Sequence, residues 1–313
     1  MTILLTAIGK RVELITHLKT KARVVGVDCS ELNAAKQFVD AFYLIPAIKA
    51  PGYVETVLEV CEKEEVDYLI PLFEPEFLIL DQHRDSFEHI GTKLLLADKQ
   101  VLQICNDKYR TADFFEKYSI PAPTTYHPSE WKAAKRMPYP LVIKPASGMG
   151  SADVYIAQDI EDFLYCIHKV KNPVVQELVK GIEYTMDVLC DESGNIIYNV
   201  PRQRLEVRSG EVNKSKVDLN QTVMDLSAQV MEALNKEGGV RGPFTLQCFL
   251  DADGKAWMLE INPRFGGGVP LSFAAGADYA SALQAMCEGK PVTPGTITEK
   301  TMLRYDMSVF LDA

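Results

Sequence analysis

The sequence predicts an α/β N-terminal domain, doubly wound on a parallel sheet, followed by an α+β region in two subdomains. Over the first hundred or so residues short apolar strands alternate with amphipathic helices, the pattern of parallel pairing through crossover helices. Near Ala97 that alternation stops, and a long amphipathic stretch runs into the proline-punctuated linker IPAPTTY. From there to Leu250 the apolar runs come in pairs separated by turn signals, which is the signature of antiparallel hairpins.

Taken in order, Thr2–Thr6 and Arg23–Asp28 read as strands on either side of a helix at Arg11–Lys19. Pro51–Glu64 reads as a helix, Val66–Leu72 as a strand, Pro75–Phe87 as a helix and Lys93–Ala97 as a strand. Ligands of such sheets sit at the strand C-terminal ends, so Gly9, Asp28 and Glu74 are either pocket residues or ordinary turn residues. AIGKRVE follows the first strand where a dinucleotide fold needs Gly-x-Gly-x-x-Gly, and the P-loop pattern is absent as well. Lys99–Tyr118 reads as one long helix, and the tail beyond Tyr279 is patterned only around a helix at Ala280–Cys287.

Composition narrows the function class. Apolar residues make up 47% and charged residues 24% of the 313, a globular mix. The net charge of −10 argues against non-specific nucleic-acid binding, while a local arginine cluster can still receive a small anion. Cysteines 29, 61, 105, 166, 190, 248 and 287 are dispersed, so neither a zinc site nor a disulfide framework is expected. Dispersed thiols fit a reducing cytosol. The N-terminus places its apolar run before its charges, the reverse of a signal peptide, and no stretch approaches the roughly 18 apolar residues of a membrane span. The expectation is a cytoplasmic protein with neither nucleic-acid nor membrane partners.

Three stretches carry chemistry. In FTLQCFLDADGKAWMLEINPRFGGG, Asp253-Gly254 signals a two-residue hairpin turn. That register sets Leu250 opposite Trp257 and Gln247 opposite Glu260, with Gln247, Glu260 and Asn262 on one face and Leu246, Leu259 and Ile261 on the other. One carboxylate and two amide oxygens suit Mg²⁺ where phosphates and water complete its shell, and Arg264 stands near enough to neutralise a transferring phosphoryl group. The alternative is a plain solvent-facing strand. In PLVIKPASGMGSADVYI, Lys144 ends a strand before the loop Ala146–Ser151, where Gly148, Gly150 and Ser151 can bring N–H groups to phosphates; taken alone, the stretch reads rather as a plain glycine-containing hairpin with an exposed lysine. In NPVVQELVKGIEYTMDVL a buried strand, Val174–Val179, can present its backbone to an adenine edge with Glu183 toward ribose, or be an ordinary strand pair. If VPRQRLEVRSGE is extended, Arg202, Arg204, Glu206 and Arg208 share a face, which either grips an anionic substrate or is a salt-bridged surface.

In this order, VIKPASGMGS, VVQELVKGIEYTMDVL, VPRQRLEVRSGE and LEINPRFGGG resemble the ATP-grasp superfamily, most closely the branch around the large subunit of carbamoyl phosphate synthase. The resemblance runs from about Lys99 to Gly276 and more loosely through the preceding α/β region. It implies an N-terminal domain over 1–98, a small lid subdomain over 99–175 and a large subdomain with the metal site over 176–313. It also implies ATP phosphates on Lys108 and Lys144 under the loop of Gly148, Gly150 and Ser151. Adenine would lie on Gln176, Glu177 and Val179, and ribose on Glu183. Mg²⁺, or Mn²⁺, would sit on Gln247, Glu260 and Asn262, with Arg264 and Lys144 as the catalytic pair.

Two departures are visible. Many members carry a carboxylate where Gln247 stands, and this chain is far shorter than a carbamoyl phosphate synthase large subunit. The implied activity is a ligase joining a carboxylate to an amine through an acyl phosphate. Its rivals are a partner-dependent subunit of a split synthase, a phosphotransferase and a nucleotide sensor. A homodimer is the common assembly by prior.

Overall fold

The computed structural model describes residues 1–146, 153–208 and 210–311. Gly148, Gly150 and Ser151, the expected phosphate loop, lie outside the described residues.

The N-terminal domain begins β1 (Thr2–Thr6), α1 (Val12–Leu18), β2 (Arg23–Asp28), β3 (Ala41–Leu44), α2 (Tyr53–Lys63) and β4 (Tyr68–Ile70). A 3₁₀ turn at Glu74–Glu76 leads to α3 (Phe77–Asp81), α4 (Arg84–His89) and β5 (Lys93–Leu94). The sheet is parallel in the order β3-β2-β1-β4-β5, so its connections reverse direction between β1 and β4. The expected helix over Pro75–Phe87 is broken into these three pieces. Arg84, the first residue of α4, donates to Asp81 and to the carbonyls of Leu94, Leu96 and Ala97, tying the break to the end of the sheet. Strand β3 was not anticipated, although AFYL is apolar; at this sheet edge it is short and only partly buried.

The expected single helix over Lys99–Tyr118 is instead α5 (Lys99–Cys105) and α6 (Lys108–Lys117). Asp107 adopts an extended conformation between them, and its carboxylate accepts the N–H groups of Tyr109 and Arg110. A short polar side chain thus offers the backbone an alternative to helix and starts a new one.

The chain then forms β6 (Thr125–Tyr126), β7 (Leu141–Pro145), β8 (Tyr155–Ala157), α7 (Ile160–Lys169) and β9 (Pro173–Glu177). These four strands make a small antiparallel sheet, order β6-β9-β7-β8, over its own core of Leu141, Ile143, Phe163 and Val175. The expected boundary at 175/176 cuts through β9, whose Gln176 and Glu177 pair within this sheet; the next sheet begins at Ile182.

That sheet comprises β10 (Ile182–Cys190), β11 (Ile196–Arg208) and β12 (Glu211–Val217), then α8 (Gln221–Glu237) and β13 (Gly242–Leu250). It is completed by β14 (Ala256–Asn262), α9 (Pro270–Ala274), α10 (Tyr279–Cys287) and β15 (Thr301–Leu303), in the order β14-β13-β10-β11-β12-β15. Its neighbouring strands are antiparallel, so period-two alternation sorts its residues cleanly. Tyr184, Met186, Val188, Phe244, Leu246, Cys248 and Met258 fall on one face and bury against α8. The opposite face is polar at one end and apolar at the other, where Leu189, Tyr198 and Val200 pack with α10 and the N-terminal domain. His17 of α1 stacks on Phe273 of α9 at 3.9 Å across that junction. Among the described residues no helix is long and apolar enough to cross a membrane, and the seven cysteines are free thiols.

Candidate functional site

The polar face of the large sheet is built by pairing. Gln247 lies opposite Glu260 and Thr185, Thr245 opposite Asn262 and Asp187, and Thr185 opposite Arg202. The Gln247–Glu260 register is the expected one, reached by a different path. The turn is one residue longer than anticipated, closed between Asp251 and Lys255 with Gly254 at φ 79°, so Phe249 rather than Leu250 faces Trp257. A bulge between Gln247 and Cys248 then absorbs the extra residue at Leu259 and restores the pairing below it. Leu259, expected in the core, is therefore only half-buried.

Asn262 donates through Nδ2 to Glu260 Oε1 at 3.2 Å and to the Thr245 carbonyl at 3.4 Å, leaving Oδ1 as an acceptor. Among the described residues no group of three or more His, Cys, Asp and Glu side chains could hold a metal. The donor set is one carboxylate and two amide oxygens. It fits a hard, oxygen-seeking cation such as Mg²⁺ that draws the rest of its shell from phosphates and water, and it does not fit zinc.

Two lysines face this edge. Lys108 opens α6, its backbone N–H donating to the Ala146 carbonyl at 3.2 Å, which docks the helix start on the end of β7 beside Lys144. Burial pulls the Lys144 ammonium down to about 8; Glu260 opposes that and Lys108 adds to it. Lys108 is lowered chiefly by burial, against the pull of Glu260, Glu74 and Asp107. Of the carboxylates near them, Glu260 is the one both ammonium groups feel, Glu74 is paired with Arg264 and Asp107 caps α6, so an oligophosphate would supply the negative charge these half-buried groups lack.

In β9, Gln176 is buried and its amide donates to the Thr125 hydroxyl at 2.8 Å, so it serves the small sheet. The Glu177 N–H goes to the Thr124 carbonyl and the Leu178 N–H to the Pro140 carbonyl, whereas the Val179 N–H meets no acceptor among the described residues. Glu183 lies over the polar face, 3.1 Å from Arg204 Nε. Burial raises its carboxyl, Arg204 opposes the rise and Glu260 reinforces it.

The arginine face is not the one expected. Arg202 is only 2% exposed and held by Asp187 at 2.8 Å, which also accepts from Ser272 at 2.7 Å. A Cβ at Gly268 would lie 2.6 Å from the Arg202 Cζ, so the glycine run after Arg264 is needed for backbone to pass over this guanidinium. Register shifts between Arg204 and Val207 break the alternation, and Glu206 and Arg208 end exposed, away from Arg202. Arg204 alone of the three projects toward Glu183.

Arg264 leaves the end of β14 toward the N-terminal domain and pairs with Glu74 at 2.8 Å. The turn carrying Glu74 is anchored by Glu76, a buried carboxyl that accepts from Thr6 and Tyr53 and from the Phe73 N–H at 3.0 Å; burial raises it. Of the other strand-end residues, Gly9 donates to Asp28 at 3.1 Å and the two support each other's loops. Sequence reasoning did not single out Asp187 or Glu76, whose roles depend on partners far along the chain.

Residues 105–268 match the ATP-grasp domain family, which is more than half of the chain, and residues 3–95 match the PylC-like N-terminal domain. The chain belongs to the ATP-grasp family. Its curated relatives include the carbamoyl phosphate synthase large chain of Archaeoglobus fulgidus, 26% identical over 274 residues, 80% of this chain and 24% of that one. The chain thus spans about a quarter of the length of the relatives it matches. Among solved structures, N5-carboxyaminoimidazole synthetase from Staphylococcus aureus complexed with ADP superposes with TM-score 0.77 at 16% identity, covering 97% of this chain and 82% of that one. The biotin carboxylase domain of Hydrogenobacter thermophilus 2-oxoglutarate carboxylase, in complex with MgADP and bicarbonate, gives 0.74 at 16%, covering 93% and 70%. At such identities these two likenesses establish the ATP-grasp fold.

Proposed function

We propose that this ATP-grasp protein is a Mg·ATP-dependent ligase that activates a carboxylate as an acyl phosphate and transfers the acyl group to an amine. The observation that carries this reading is the meeting of Lys108, Lys144, Glu260 and the Glu74–Arg264 pair at one edge of the large sheet.

Lys108 and Lys144 would hold the nucleotide phosphates, and Glu260, with Gln247 and Asn262, would hold the cation. Held there, Mg²⁺ would supply positive charge to the phosphates. The adenine edge would meet the Glu177–Val179 backbone, with Gln176 holding that strand in place and Glu183 facing ribose. Gly148, Gly150 and Ser151 would cover the phosphates. The N-terminal domain over 1–98 would shape the acceptor side, with the lid and large subdomains closing on ATP.

A substrate carboxylate oxygen attacks the γ-phosphorus, the bond to the β-phosphate oxygen breaks, and ADP leaves. The amine nitrogen then attacks the acyl carbon, the C–O bond to phosphate breaks, and the amine proton passes to solvent. Arg264 would neutralise the transferring group, and exclusion of water would protect the acyl phosphate. Catalysis is mostly positioning and charge.

The test is ADP release with Mg·ATP against small carboxylates, amino acids and bicarbonate, each with and without an amine. Steady turnover that requires both supports the ligase. A stable phosphorylated acceptor formed without an amine favours a phosphotransferase. Because the chain spans about a quarter of the carbamoyl phosphate synthase chains it matches, a partner-dependent subunit is the second reading. Turnover that appears only on adding a partner chain would establish it.

A further inference from the structure

After β1, where the sheet order reverses, lies a basic cluster of which only Arg264 belongs to the proposed nucleotide site. Arg11 follows Gly9 and Lys10 after β1, and its guanidinium lies beside Arg264, Arg304 and Glu211. Gly267 marks their common centre. A Cβ there would come 3.7 Å from Arg11 Nη1 and 3.9 Å from Glu211 Cδ, and Arg304 donates to the Gly267 carbonyl.

Most of these charges are matched. Arg264 has Glu74 at 2.8 Å, and Arg304 has Glu211 at 3.5 Å and Glu13 at 3.6 Å. Glu211 also takes Lys10 at 3.2 Å. Arg11 makes no side-chain hydrogen bond and no ion pair among the described residues. Burial, Arg264 and Arg304 all pull it down, to about 10, with only Glu211 opposing; it remains a cation at neutral pH. Arg11 is partly buried, and the like charges beside it disfavour a guanidinium that has no acceptor of its own, which an anion seated on it would offset. The place is also the one where ligands of doubly wound sheets bind.

We infer that Arg11 holds the free carboxylate of an amino-acid substrate, a carboxylate distinct from the one that is phosphorylated. The interleaved acids decide the class: Glu211 meets Lys10 and Arg304 through Oε2 and Glu74 meets Arg264 through Oε1, so each keeps a second oxygen for an ammonium group, and a zwitterion matches the site better than a simple anion. The bound molecule is then the amine of the ligation, and the product keeps the carboxylate on Arg11. This inference rests on the ligase reading of the adjoining site.

The experiment is thermal-shift and equilibrium binding on the full chain with Mg·ADP present. The probes are the proteinogenic amino acids, their amides, succinate and inorganic phosphate, against wild type, Arg11→Gln and Arg11→Lys. The inference expects at least one amino acid to bind and stabilise wild type while its amide does not. Arg11→Gln should weaken that binding roughly tenfold or more, as expected for a lost charged hydrogen bond, and Arg11→Lys by less. Without ligand, Arg11→Gln should melt no lower than wild type, whereas an Arg11 with a structural role would lower the melting temperature. A fluorescent ADP analogue should bind all three proteins equally. No nucleotide binding by wild type would overturn the ligase reading itself. Intact nucleotide binding with no amino-acid binding, or with binding indifferent to Arg11, would overturn this inference alone. Equal responses to succinate or phosphate would overturn the amino-acid class.

Discussion

Arg264 and Glu74 form an ion pair across 190 residues of sequence, with Nη2 at 2.8 Å and Nε at 3.0 Å from the same carboxylate oxygen. The pair joins the end of the β13–β14 hairpin to the turn after β4 in the N-terminal domain, and so ties the proposed place of phosphoryl transfer to the proposed acceptor side. Arg264→Ala should keep nucleotide affinity and lower turnover by about 10²–10³, the usual cost of losing a donor to transition-state charge. Fluorescent-nucleotide binding and steady-state ADP release check the two halves separately. Full turnover in Arg264→Ala would remove Arg264 from the chemistry.

Lys144→Met should fold normally, because it relieves a buried ammonium whose burial already disfavours its charge. Its nucleotide affinity should fall by about tenfold or more, since a charged contact to phosphate is lost. Calorimetric titration with ADP measures this, and wild-type affinity would contradict the assignment.

Glu260→Gln should abolish the Mg²⁺ dependence of nucleotide binding, because it removes the one carboxylate among the proposed ligands. Gln247→Glu should act oppositely and strengthen metal binding by adding a second. Nucleotide titrations with and without Mg²⁺ compare them.

Asp187→Ala should destabilise the protein by about 3–5 kcal/mol, because Arg202 would stay buried without its partner. Chemical denaturation measures it. This outcome separates Arg202, a support of the glycine run, from the exposed Arg208. Near-wild-type stability would return Arg202 to the candidates for direct substrate contact.

His17 carries the acid-side prediction. Burial lowers its pKa and Asp278 partly opposes this, while its Nε2 accepts the Ala280 N–H at 3.3 Å. The folded protein therefore binds this proton less readily than the unfolded chain. The stabilisation is complete above the ordinary value of 6.5 and is lost as pH falls from there through the folded value. His17→Phe should flatten the melting-temperature profile on the acid side while keeping the stack on Phe273. An unchanged acid slope would assign it to other groups.

The sequence revealed much of this arrangement, and the misses have local causes. Apolar runs placed β1 and β2, which are buried on both faces, and period-two alternation with a turn signal placed the hairpin strands. Gln247 opposite Glu260 came out correctly only because a longer turn and the bulge at Leu259 cancel. The split between α5 and α6 was not anticipated, although Asp107 is a capping residue, because apolar periodicity continues through it. Arg202 and Arg208 part company through register shifts that depend on β12. Glu74 could be named as a strand-end residue, but its pairing with Arg264 could not. The convergence of Arg11, Arg264 and Arg304 likewise belongs to tertiary structure, with no signal in local spacing.

The most direct test of the central claim is trapping with hydroxylamine, which intercepts an acyl phosphate as a hydroxamate. The protein would be incubated with Mg·ATP and each carboxylate of the panel, and hydroxamate measured beside ADP. The ligase reading predicts carboxylate-dependent hydroxamate in step with ADP release, lost in Arg264→Ala and in Glu260→Gln. ADP release with a stable phosphorylated acceptor and no hydroxamate would contradict it.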